Sequence, residues 1–131
     1  VFALNAHVMR VLKDTKESAQ ATQMLHDRTE QLRSALWDQV TEPGWLETLA
    51  KGEIAAAVNF PDATETIRVE PLVPAPNVYA EVVRTPSGTV TKSGVSLSHY
   101  QSVKITLQVK WNGRRGLRER VMATVMTNGG I

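Results

Sequence analysis

From Val1 to Thr41 the chain contains neither proline nor glycine, and an unbroken stretch of that length limits the fold more than any other feature. The composition of the stretch predicts one helix over 1–41. At 1.5 Å per residue such a helix is roughly 60 Å long, several times the usual globular length. A domain of 131 residues is too small to cover all of it.

The apolar residues of the stretch divide it into two burial tasks. Leu4, Val8, Val11, Leu25, Leu32, Leu36 and Val40 recur at spacings of three, four or their sums, so they share one face. Between Val11 and Leu25 that face carries Thr15, Ser18 and Thr22, too polar for a continuous coiled-coil seam. Leu25, Leu32, Leu36 and Val40 are therefore expected to form the helix–sheet core of the domain. Val1, Leu4, Val8, Val11 and Leu12 are expected to form an assembly face that projects toward something outside this chain. Opposite charges four apart, Arg10 with Asp14 and Lys13 with Glu17, keep the rest of the helix soluble.

Glu42-Pro43-Gly44 stops the helix, because the proline ring disfavours helical geometry at the residue before it. Residues 45–51 predict a short second helix ended by Gly52, with Trp45 and Leu49 facing inward. From Glu53 the period changes to two. Ile67 and Val69 mark one strand, closed by Pro71, and 77–85 a second, which Pro86-Ser87-Gly88 turns into 89–91. In 103–111, Val103, Ile105, Leu107, Val109 and Trp111 alternate with Lys104, Thr106, Gln108 and Lys110, so one face is buried and one is wet. Asn112 to Gly116 predicts a hairpin connection. On the return strand Leu117, Val121, Ala123 and Val125 are expected to face inward and Arg118, Arg120 and Met122 outward. The expected fold is α+β: a single domain over 1–131, with a long N-terminal helix packed on an antiparallel sheet of about four strands over 65–126.

The chemistry this chain can carry is narrow. The absence of cysteine excludes disulfides and thiolate catalysis. His7, His26 and His99 lie on separate elements, and the pair His26 and Glu30 offers two ligands where a metal site needs more. Ser98-His99 has no third partner for a nucleophile, and no glycine-rich phosphate loop is present. No catalytic, cofactor-binding or metal-binding residue is therefore nominated, and the chain is expected not to be an enzyme.

Charge is polarised along the chain, neutral over 1–41, −3 over 42–100 and +5 over 101–131. Such a layout suits head-to-tail contact between copies at least as well as a polyanionic partner. Arg114, Arg115, Arg118 and Arg120 form the one basic surface, a charged hairpin that discourages strand pairing or, in the alternative, a contact for phosphates.

Residues 19–25 (Ala-Gln-Ala-Thr-Gln-Met-Leu), residues 28–37 (Arg-Thr-Glu-Gln-Leu-Arg-Ser-Ala-Leu-Trp) and the final strand, loop and strand ending in Thr127-Asn128-Gly129-Gly130 give the chain its likeness to known proteins. It resembles the type IV pilin-like proteins, which include minor pilins and the pseudopilins of type II secretion. The resemblance implies a structural subunit of a type IV pilus or type II secretion pseudopilus, assembling through its N-terminal helix. Its partners would be other pilin-like subunits and the inner-membrane assembly machinery. It would be held in the bacterial inner membrane before assembly, with its head periplasmic or extracellular. A membrane segment is then expected upstream of Val1, preceded by a short basic leader cleaved after glycine. The lack of cysteine departs from pilins that close a C-terminal loop with a disulfide, which favours a minor pilin or pseudopilin. The alternative function is a nucleic-acid-binding head of a DNA-uptake system, using the basic C-terminal hairpin, whose affinity would fall steeply with salt.

Overall fold

The computed structural model describes residues 2–52, 60, 62–113 and 116–128, with side chains from residue 15 onward. Among the described residues three helices precede the strands: α1 (Phe2–Arg33), α2 (Trp37–Val40) and α3 (Pro43–Lys51). The strands are β1 (Thr64–Pro71), β2 (Ala80–Arg84), β3 (Val90–Gly94), β4 (Ser102–Gly113) and β5 (Gly116–Thr127). They form one antiparallel sheet in the order β3-β2-β1-β4-β5.

This corrects the expected architecture. A five-stranded antiparallel sheet, and not a long helix lying on about four strands, organises the chain. The additional strand pairing comes from β3, which runs on to Gly94 where a loop was expected. Only Val90 on it is even half-buried, so no alternation marks it in the sequence. Backbone pairing with β2, from Arg84 opposite Val90 to Ala80 opposite Gly94, holds it instead.

The helix also ends sooner than expected, at Arg33 rather than Thr41. No proline or glycine stops it. A hollow lined by Arg33 and Thr124 to Thr127 shows that the end of α1 already lies at the end of β5, so a longer helix would have no sheet beneath it. The chain breaks and folds back across the sheet end. There the Trp37 indole N–H donates to the Ser98 carbonyl at 2.9 Å, and the Leu97 N–H donates to the Thr41 carbonyl at 2.9 Å. Leu36, expected in the core, sits at this break in extended geometry (φ −81°, ψ 158°) and is 69% exposed. Leu25, Leu32 and Val40 are buried.

The core lies between one face of the sheet and the helices. Ala21, Met24, Leu25 and Leu32 of α1 meet Val103, Ile105, Leu107, Val109 and Trp111 of β4 and Ile67 and Val69 of β1. Leu46 and Ala50 of α3 are fully buried with Ala80 and Val82 of β2, while Trp45 and Leu49 pack at the margin of the core. The strands β1, β2 and β4 bury alternate residues, as a sheet with one covered face requires.

Gly94 closes the sheet at the β3 edge and has no substitute there. Its φ is +98°, and an added Cβ would lie 2.0 Å from the Tyr79 carbonyl oxygen. The three nearest atoms are all backbone of Tyr79 and Ala80, with no flexible side chain among them to give way. Gly94→Ala is expected to destabilise the domain by about 1–3 kcal/mol through strain. Urea melts would measure it, and an unchanged midpoint would show that the β2–β3 pairing is dispensable.

Candidate interaction surfaces

The most elaborate polar cluster among the described residues is buried and joins four elements. Arg28 stands on the apolar face of α1 among Met24, Leu25 and Leu32, and is fully buried. Its Nε donates to Glu65 Oε2 on β1 at 2.8 Å. One terminal nitrogen donates to Gln31 Oε1 at 2.8 Å and to the Leu49 carbonyl at 3.0 Å, and the other to the Gly52 carbonyl at 3.0 Å. The last two acceptors lie at the C-terminal end of α3, where the Leu49 carbonyl also accepts from the N–H of the cap residue Gly52 at 3.1 Å. Arg84 on β2 approaches the second Glu65 oxygen at 3.3 Å. With four of the five guanidinium N–H groups occupied and both Arg28 and Glu65 buried, this cluster clamps helices to sheet.

The nominated assembly face lies outside what can be described at the level of side chains. Val1 lies outside the described residues, and Leu4, Val8, Val11 and Leu12 have only their backbone described, which is helical. The course of α1 from Ser18 onward is defined by its contacts with β5. Arg120 of β5 donates from Nε to the Ser18 hydroxyl at 3.1 Å, Thr29 donates to the Met122 sulfur at 3.0 Å, and Arg33 lies at the end of β5. Thus α1 and β5 run in the same direction. Sixteen residues of α1 precede Ser18, about 24 Å of helix, whereas four residues of β5 precede Arg120, about 14 Å of strand. The first turns of α1 extend past the β4–β5 hairpin.

The basic surface is divided. Arg114 and Arg115 lie outside the described residues. Arg118 and Arg120 do not face outward as expected: they share the helix-facing side of β5, the first with its guanidinium 5.9 Å from the Trp111 ring centroid and the second bonded to Ser18. The expected inward set, Leu117, Val121, Ala123 and Val125, is exposed on the other side. The hairpin dictates this. Gly113 pairs with Gly116, so the connection holds two residues, and Trp111, Val109, Leu107 and Val103 stand opposite Arg118, Arg120, Met122 and Met126. A one-residue change in that connection would reverse every side chain of β5.

Elsewhere the surface offers little chemistry. His26 and His99 are exposed, and no three potential ligands converge on a metal-sized space among the described residues. A shallow hollow of about 320 Å³ lies between Pro71, Leu72 and Val73 on one side and Tyr100, Gln101 and Ser102 on the other. Its lining holds no acid, base or thiol apart from the tyrosine. No described helix is long and apolar enough to cross a membrane. No family model, no curated protein and no solved structure matches the chain.

Proposed function

We propose that this chain is the head of a structural subunit of a type IV pilus or type II secretion pseudopilus, assembled through its N-terminal helix. The observation that carries the reading is the helix running past the sheet. Its continuation carries Leu4, Val8 and Val11 at helical spacing, and a fibre of parallel helices would cover such a face by burial. The clamp at Arg28 supports the reading, because a helix that transmits load to a head must be fixed to it. The subunit acts by packing and not by catalysis, with its head displayed.

The test uses the complete native reading frame in a bacterium that carries the assembly machinery. Leu4→Glu with Val8→Glu is expected to remove the subunit from sheared surface fibres while leaving the melting temperature of the 131-residue chain unchanged. Undiminished incorporation would overturn the proposal. So would a reading frame that places an initiator methionine or a polar globular domain directly before Val1 in place of a leader and an apolar helix.

A further inference from the structure

With four methionines and no cysteine, every sulfur of this chain is a thioether, the side chain most readily oxidised once thiols are absent. Their surroundings differ. Met24 on α1 is 1% exposed, inside the core. Met122 and Met126 stand opposite Leu107 and Val103 of β4 and pack against that core, yet both are only half-buried. Their place in the sheet is the reason: β5 is an edge strand, so among the described residues no further strand closes the seam between it and α1.

We propose that Met122 and Met126 form an oxidation site for hydroperoxides, and that sulfoxide formation there loosens α1 from β5. Met126 is reached first. It lines the hollow at the end of α1, whose volume is about 90 Å³, against the roughly 30 Å³ that a water molecule occupies. Hydrogen peroxide therefore fits beside the sulfur. The thioether gives a lone pair to one peroxide oxygen, the O–O bond breaks as the S–O bond forms, and the second oxygen leaves as water. Sulfur loses two electrons and the peroxide gains them. Arg33 lines the same hollow, so a donor for the new oxygen is at hand.

The effect on packing comes from Met122. Its sulfur lies 3.0 Å from the Thr29 hydroxyl, which is itself 2.7 Å from the Leu25 carbonyl of α1. A hydroxyl has one proton to give. A thioether is a weak acceptor and leaves that proton to the carbonyl, whereas a sulfoxide oxygen competes for it and needs the space that the contact between Thr29 and the sulfur now fills. Thr29 is buried, so water does not supply the missing donor. Either α1 moves away from β5 or a buried polar oxygen goes unpaired, and both weaken the seam. The inference stands apart from membership of a fibre.

The 131-residue chain is treated with dilute hydrogen peroxide at neutral pH and mapped over time by peptide mass, with fragmentation to separate Met122 from Met126. Met126 is expected to gain oxygen fastest and Met122 next, each at least ~10-fold faster than Met24. The melting temperature is expected to fall by at least about 3 °C as Met122 is converted. Methionine sulfoxide reductases for both epimers, with a thiol reductant, remove the oxygen as water and are expected to restore it. Met122→Leu with Met126→Leu, a volume-conserving change, is expected to hold its melting temperature through the same peroxide treatment. Oxidation of Met24 as fast as Met122 and Met126 would overturn the site, since burial would then confer no selectivity. A melting temperature unmoved by complete conversion of Met122, or one that falls as far in the double leucine variant, would overturn the loosening. Should the double variant fail to fold, Met122→Leu alone takes its place, and the rates in the unsubstituted chain decide the site without any substitution.

Discussion

Arg28→Ala is expected to lower the stability of this domain by about 3–5 kcal/mol, the usual result of removing one partner from a buried ion pair. The size follows from what is left behind. Glu65 remains 3% exposed with a carboxylate that has lost its 2.8 Å partner, and Arg84 at 3.3 Å replaces only part of that interaction. The Leu49 and Gly52 carbonyls at the end of α3 lose the Arg28 donor as well, although Leu49 keeps the Gly52 N–H at 3.1 Å, so the stranded carboxylate carries most of the cost. Since a domain has about 5–15 kcal/mol in total, the variant should be close to unfolding at physiological temperature. Guanidinium melts with linear extrapolation would measure the change. Arg28→Met combined with Glu65→Leu is expected to recover much of the loss, because removing both charges leaves neither one stranded. A loss below about 1 kcal/mol for Arg28→Ala would mean that water reaches the cluster and that the clamp does not hold α1 to the sheet.

The second large effect is a contrast between two leucines four residues apart. Leu32→Ala is expected to cost about 2–5 kcal/mol, as large-to-small changes in packed cores do, because Leu32 is 1% exposed and belongs to the helix–sheet core. Leu36→Ala is expected to change stability by no more than about 0.5 kcal/mol, the range for surface positions without special contacts. Leu36 is out of the core, and its N–H is capped by the Gln39 side chain, which the substitution leaves in place. The pair of melts tests where α1 ends. Comparable losses at both positions would mean that the helix continues with Leu36 against the sheet.

Both effects expose a limit of pattern reading. Met24, Leu25, Arg28 and Leu32 share one helix face, and Glu65, Ile67 and Val69 share one strand face, so each charge stood in an apolar stripe where the sequence alone could have marked it. Opposite charges on two core faces are a pairing signal, although a separation of 37 positions puts the pairing beyond any local window. Leu36 shows the reverse case. Its spacing from Leu32 is helical, but a periodic position is buried only while there is something to cover it.

Periodicity and breakers by themselves determined the local elements: a helix without proline or glycine through Arg33, the short helix ending at Gly52, and the strict alternation of Val103 to Trp111. Glu42-Pro43-Gly44, read as the stop of the long helix, instead opens α3 with Glu42 as its N-cap and Pro43 as its first residue; the other elements follow from backbone geometry within a few residues, and one chain carries that information. The tertiary structure alone decided where α1 stops, that the polar β3 is a strand, and which way β5 faces. The first depends on the length of the sheet beneath the helix, the second on backbone pairing that needs no side-chain pattern, and the third on a two-residue hairpin that carries parity from β4 to β5. Each is set by a partner segment distant in sequence or by a connection that side-chain hydropathy does not encode, and so each was settled only when the elements met.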